Sequence, residues 1–279
     1  MRYLSYISPE GRATWGARTE RGIIDLSSIA PTLREAIAGG KLAEAASASA
    51  QSSVVHAETD ISFLPLIPAP EKILCVGLNY RSHILETGRE MPKHPSIFTR
   101  FANTQVGHGQ PLVRPRVSDK FDYEGELAVV IGKSCRYVAA KDAETVIAGY
   151  SCYNDGSVRD WQRHTIQFTP GKNFPGTGGF GPWLVTPDEF RDFGNRQIRT
   201  RLNGAEMQSA PLSDLVFDVP SLVEYCSTFT QLEPGDVILT GTAGGVGAFR
   251  EPPVWMKAGD VVEVEIDGIG VLSNPVVDE

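Results

Sequence analysis

The sequence predicts an α+β protein that is mostly β. Three observations carry this: apolar segments of strand length recur from about residue 70 onward, helical periods are few, and no period of repeat length is present. The 279 residues are 41% hydrophobic and 22% charged, which suits a globular chain with room for a real core.

Residues 1–30 read as short strands, "RYLSYIS", "ATWGARTE" and "RGIIDL", with the turn "PEGR" after the first. The next stretch, "PTLREAIAGGKLAEAASASAQSSVV", is helical in composition but interrupted by Gly39 and Gly40 and ends in an Ala/Ser tract. Two short helices and a loop are expected there. The proline-punctuated "FLPLIPAPEK" then leads into the apolar "ILCVGLNY", which sets a boundary near residue 70. The expected organisation is therefore a small N-terminal α+β domain, 1–69, and a larger domain, 70–279. Strands are expected at 73–76, 127–131, 147–153, 198–202, 236–239 and 261–266.

The net charge of -8 argues against nucleic-acid binding, which needs a basic patch dense enough to meet phosphates. Four cysteines, Cys75, Cys135, Cys152 and Cys226, are scattered without a CxxC pair, so neither a zinc knuckle nor a secreted disulfide framework is suggested. A reducing cytoplasm is the expected location. The N-terminus has no long apolar h-region and no later run approaches a membrane span, so no membrane partner is expected.

"FDYEGELAVVIG", residues 121–132, poses a chemical problem. On a strand, Glu124 and Glu126 share one face with Ala128 and Val130, roughly 7 Å apart along the chain. Two ionised carboxylates in a poorly solvated pocket repel, so something must neutralise them. Further on, "YNDGSVRDWQRH" puts Asp155 at a strand end, where it reads as the cap of a helix starting at Gly156. Arg159 and Gln162 would then look out along one helix edge toward the same volume. In "GLNYRSHILETG", His83 and Glu86 are three apart, so a short helix would bring carboxylate to imidazole. An exposed pair on a solvated turn fits that spacing equally well.

"TPGKNFPGTGGFGP" is too rich in Gly and Pro for regular structure and carries Lys172, but it does not fit a P-loop, because no Ser or Thr follows the lysine. "LTGTAGGVG" should end a strand with the Thr242 hydroxyl available, and it is no dinucleotide fingerprint. His56, His94, His108 and His164 lack recurring metal-ligand spacing, and a GxSxG elbow is absent.

Together, "VGLNYRSHILETG", "FDYEGELAVVIGK", "YNDGSVRDWQ", the loop lysine and "LTGTAGGVG" resemble, in that order, the fumarylacetoacetate hydrolase family over about residues 68–275. The resemblance implies a mixed β-roll, generally a homodimer. It matches Glu124, Glu126 and Asp155 to the family's metal-ligand carboxylates, with Mg²⁺ the usual ion and Mn²⁺ or Ca²⁺ occasional. It matches His83 and Glu86 to a catalytic pair on a mobile lid, Lys172 to an active-site lysine, Arg159 and Gln162 to pocket-lining positions, and Thr242 to a substrate-contacting threonine. Two departures stand out: Ala243 replaces a common proline and Arg100 a frequent lysine. Both are expected where substrates differ, away from the metal and the His–Glu pair.

The activity so implied is divalent-metal-dependent cleavage of a C–C bond in a small 2,4-dioxo acid of the acylpyruvate or fumarylpyruvate type, as in aromatic catabolism, giving pyruvate and a carboxylic acid. Within the family the chain resembles acylpyruvate hydrolase and 2-hydroxyhepta-2,4-diene-1,7-dioate isomerase, and one alternative is an oxaloacetate-type decarboxylase or keto–enol isomerase on a related 2-oxo diacid. Another is a non-catalytic metal-binding protein.

Overall fold

A computed structural model describes residues 1–52 and 56–279. The loop expected at the end of the Ala/Ser tract falls largely on residues 53–55, outside the described residues. The N-terminal segment forms β1 (Arg2–Ile7), β2 (Ala13–Thr19), β3 (Gly22–Asp25), α1 (Leu33–Ala38), α2 (Leu42–Gln51) and β4 (Ser62–Phe63). Thr32 caps α1, its hydroxyl accepting from the Glu35 amide, and Gly39 ends that helix.

The rest supplies β5 (Ile73–Gly77), α3 (Arg81–Thr87), β6 (Ser96–Arg100), β7 (Gln105–Val106), β8 (Leu112–Arg114), β9 (Phe121–Asp122), β10 (Gly125–Ile131), β11 (Ile147–Asp155) and β12 (Ser157–Val158). After these come α4 (Arg159–Gln162), α5 (Thr169–Lys172), β13 (Gly178–Val185), β14 (Gln197–Leu202), β15 (Ala205–Pro211), α6 (Val219–Phe229), β16 (Val237–Thr242), β17 (Val261–Ile266) and β18 (Gly270–Asp278). The predominantly β character read from the sequence is the observed one.

An 11-stranded mixed sheet runs β3-β2-β1-β13-β11-β10-β16-β5-β6, with β4 beside β1 and β7 beside β13. A five-stranded sheet runs β15-β14-β17-β18-β8, and β9 pairs with β12. Because β1 pairs with β13, the first strands extend the central sheet.

Strand β10 is buried throughout, and its alternation divides the core. Leu127, Val129 and Ile131 pack with Leu222, Val223 and Cys226 of α6 and with Val264, Ile266 and Leu272 of the second sheet. Ala128 and Val130 face the opposite cluster, with Leu33, Ala36 and Ile37 of α1 and Trp15 of β2. At the N-terminal end of β10 that same face carries Glu126.

Two sequence expectations need correction. Asp155 caps no helix: it is the last residue of β11, β12 follows, and α4 starts at Arg159 with Val158 before it. The strand persists because Asp155 pairs with Gly178 and its amide donates to the Glu124 carbonyl. The Gly/Pro-rich stretch is regular at both ends, since residues 169–172 form α5 and Gly178–Val185 form β13. Glycine is required in β13 because neighbours crowd the backbone: a Cβ on Gly178 would lie 2.7 Å from the Tyr153 hydroxyl and 2.8 Å from Arg100.

Candidate metal centre and active-site pocket

Antiparallel pairing sets Gly125 opposite Asn154 and Glu126 opposite Thr242, so β10 begins where β11 and β16 end. β5 runs parallel to β16 and ends at the same edge. This brings together residues far apart in sequence around a cavity of about 360 Å³, within the range of small-molecule sites. Its lining includes His83, Glu124, Glu126, Arg159, Lys172 and Thr242.

Glu124, Glu126 and Asp155 are buried, and each offers an oxygen within 4.8 Å of the others. They form a metal-competent acidic cluster among the described residues. The oxygens of an octahedral site with bonds of about 2.1 Å lie roughly 3–4 Å apart, so this spacing and the all-oxygen donor set fit a hard divalent cation. Backbone contacts hold the triad: the Glu124 amide donates to Asn154 Oδ1 at 2.9 Å, and Glu126 Oε2 accepts from the Gly241 amide at 2.8 Å.

Three buried cations answer the carboxylates. Lys172 Nζ lies 2.5 Å from Glu124 Oε2 and 2.6 Å from Asp155 Oδ2. Arg159 contacts Glu124 Oε1 and Asp122 Oδ2, each at 2.7 Å, while Arg100 Nη1 donates to Asp155 Oδ1 at 2.6 Å. Burial alone would raise the Glu124 pKa, but the Lys172 and Arg159 charges hold it down at about 2. Among the described residues Glu126 has no such ion pair; burial and the charges of Asp155 and Glu124 push its pKa well up, against a smaller pull from Lys172. Burial would lower the Lys172 pKa, yet Asp155 and Glu124 reverse that and raise it. A divalent ion beside Glu126 would supply the positive charge this carboxylate lacks.

The second group sits on α3. His83 Nδ1 is 3.0 Å from Glu86 Oε2, and Glu86 Oε1 accepts from the Gly245 amide at 2.9 Å. Glu86 thus ties the imidazole to the loop after β16. The helix is also fastened by Ser82, which donates to Asp214 through its amide and hydroxyl, and by Arg81, which donates to the Ser213 and Leu215 carbonyls.

Arg159 Nη1 also donates to Gln162 Oε1 at 3.0 Å, and both residues line the cavity. Among the described residues Arg159 Nη2 is buried with no hydrogen-bond partner, a donor left over for an anionic oxygen. The Thr242 hydroxyl is engaged: it donates to the Gly125 carbonyl at 3.0 Å and accepts from Gln208 Nε2 at 2.8 Å.

Arg100 differs from expectation. Its side chain is fully buried and bonds Asp155, the Gly156 carbonyl, Thr104 and Thr177. It acts on a candidate metal ligand, although no spacing pattern relates two residues 55 positions apart. Asp122 was also missed; it anchors Arg159 and accepts from the amides of Gly247 and Ala248. Its place in "FDYEGEL", two residues before Glu124, was the available signal.

The four cysteines are free thiols. Among the described residues, no helix is long and apolar enough to cross a membrane.

Comparison with known proteins agrees with this geometry. The family model "Fumarylacetoacetate (FAA) hydrolase C-terminal" matches residues 72–277. The mitochondrial oxaloacetate tautomerase fahd2 of Xenopus laevis is 42% identical over 285 residues, spanning 99% of this chain and 89% of that protein. Among solved structures, 5-carboxymethyl-2-hydroxymuconate delta-isomerase from Mycobacterium smegmatis superposes with a TM-score of 0.81 at 33% identity, covering 100% of this chain and 99% of that one. Maleylpyruvate hydrolase from Sphingobium sp. SYK-6, in complex with manganese (II) ion and pyruvate, gives a TM-score of 0.83 at 26% identity, with the same coverage. The chain belongs to the fumarylacetoacetate hydrolase family.

Proposed function

We propose that this protein is a divalent-metal-dependent keto–enol tautomerase acting on a 2-oxo dicarboxylate of the oxaloacetate type. The observation that carries this reading is the placement of a carboxylate-backed imidazole, His83 with Glu86, over the same cavity as the acidic triad. The named activity of the 42% identical relative supports it.

Glu124, Glu126 and Asp155 are the ligands in this reading, with Mg²⁺ the expected ion and Mn²⁺ or Ca²⁺ as substitutes. The bound ion supplies Lewis-acid polarisation of the 2-oxo group. His83, oriented by Glu86, takes a proton from C3 as the C2=C3 double bond forms. Lys172 offsets the charge developing on the C2 oxygen. Reprotonation at oxygen gives the enol, and the reverse path regenerates the ketone. Arg159, Gln162 and Thr242 shape the pocket around the substrate. The division near residue 70 and the homodimer belong to the same reading, as does a reducing, cytoplasmic setting, which the free cysteines fit.

A second reading is hydrolysis of a 2,4-dioxo acid, for which the same His–Glu pair would activate water. The likeness to maleylpyruvate hydrolase favours it. One experiment separates them. Wild-type protein with Mg²⁺ is mixed with freshly dissolved oxaloacetate and, separately, with acylpyruvates; enol absorbance and pyruvate release are followed together. A fast change in enol absorbance without pyruvate supports the tautomerase. Pyruvate with a carboxylic acid from an acylpyruvate, and no acceleration with oxaloacetate, replaces it with the hydrolase. Pyruvate and CO₂ from oxaloacetate make the protein a decarboxylase.

A further inference from the structure

Most arginines of this acidic chain are tied to carboxylates or carbonyls. Among the described residues, the guanidinium groups of Arg89, Arg116 and Arg163 have no hydrogen-bond or ion-pair partner, and two of these, Arg89 and Arg163, line the active-site cavity. Both are exposed at its rim, whereas Glu124, Arg159 and Lys172 deeper in the cavity are buried and mutually paired.

The two rim cations share the cavity with His83. Arg89 directly follows Gly88, the residue at φ +68° that ends α3, the helix carrying His83 and Glu86. Arg163 lies with Cζ 5.8 Å from the centre of the Phe249 ring, and that ring stands edge-on to His83 at 6.1 Å. Phe249 is thus an apolar spacer between the imidazole and the second cation. In a 2-oxo dicarboxylate of four carbons, the distal carboxylate is bonded to C3, the carbon that exchanges its proton with His83. It must therefore emerge beside the imidazole. The inner end is where the 2-oxo head would meet an ion held by the triad, so the distal carboxylate is left to face the rim.

From this we infer that Arg89 and Arg163 form the subsite for the distal carboxylate and make the enzyme selective for dianionic 2-oxo acids over monoanionic ones. The inference rests on the tautomerase reading for its reaction, but the charge preference can be tested apart from catalysis. A distal carboxylate next to C3 opposes loss of the C3 proton, and two cations beside it relieve that repulsion. Guanidinium forks suit a carboxylate, and their exposed position also favours capture of an anion by a protein of net charge -8.

The test uses the Mg²⁺-loaded full chain, the variants Arg89→Gln and Arg163→Gln, and the double variant. Oxaloacetate is compared with its 4-methyl ester, which keeps the reacting carbons and lacks the distal charge. Each single variant should raise KM for oxaloacetate about fivefold to tenfold, the double variant more, with KM for the ester unchanged. Oxalate, which presents only a chelating head, should bind all variants like wild type in calorimetry, showing that fold and metal site survive. Displacement of oxalate by oxaloacetate against the ester reads the same preference as a binding affinity and not as a rate. A wild type that fails to tautomerise but still prefers the dianion through these arginines would refute the reaction and keep the subsite. Equal effects on acid and ester, or no effect of the double variant, would overturn the subsite whatever the reaction.

Discussion

Lys172 Nζ lies 2.6 Å from Asp155 Oδ2, with both side chains essentially inaccessible to solvent, and the same ammonium is 2.5 Å from Glu124. A buried lysine charge here balances two of the three candidate metal ligands. Replacing Lys172 with Met would leave both carboxylates short of a counter-charge, and breaking a buried pair in this way costs about 3–5 kcal/mol. Lys172→Met should therefore melt well below wild type in EDTA and regain much of the difference in Mg²⁺. Differential scanning fluorimetry with and without the ion reads this directly. Identical melting of variant and wild type in EDTA would show that the ammonium does not neutralise the triad.

Arg100 holds the other oxygen of Asp155, Oδ1, and leaves Oδ2 to Lys172. Lysine keeps the charge but cannot span Asp155, Gly156, Thr104 and Thr177 with one planar group. Arg100→Lys should weaken Mg²⁺ binding by roughly tenfold, the scale for a lost partner of a metal ligand. Isothermal titration calorimetry measures it. Unchanged affinity would leave Arg100 as packing alone.

His83 is assigned to proton transfer and not to metal binding. His83→Ala should lower kcat by on the order of 10²-fold or more while leaving Mg²⁺ affinity near wild type. Glu86→Gln should lower kcat less, since a side-chain oxygen can still accept from the Gly245 amide. Loss of Mg²⁺ binding in His83→Ala would make the histidine a ligand and require a different base.

Far from the site, Asp25 joins the first three strands. It accepts from the Ser27 amide at 2.9 Å, from Thr14 at 3.0 Å and from Arg12 at 3.1 Å. Burial alone would raise its pKa, but the Ser27 and Thr14 hydrogen bonds and the Arg12 charge lower it below the usual carboxylate value. Its contribution to stability is therefore present above the unfolded-state pKa and is lost as pH falls through the lower folded value. Asp25→Asn should cost about 1–2 kcal/mol at pH 7, and the gap to wild type should close in acid, below the ordinary carboxylate range. Urea titrations at pH 7 and in acid check it; a gap that persists or widens in acid contradicts the assignment.

Local pattern was enough for the elements that depend on local chemistry. The alternation in "FDYEGELAVVIG" anticipated that Glu124 and Glu126 meet on one side, and both line the cavity, although Glu124 lies just before β10, which starts at Gly125. The spacing of His83 and Glu86 allowed either a helix that joins them or an exposed pair on a turn, and the helix is the one present. The first three strands and the two short helices after them were legible from turn residues and glycine breaks. The helix expected at Gly156 was not there, because pairing of Asp155 with Gly178 on β13 outweighed a capping preference that acts over a few residues. The same pairing made a strand of a glycine-rich stretch whose composition argues for a loop. What neutralises the triad without a metal, how Arg100 reaches Asp155, and which arginines stand free at the rim beside His83 were decided by the tertiary structure. These depend on contacts between residues tens of positions apart, and such contacts are set by strand order and register, on which spacing within any one segment is silent.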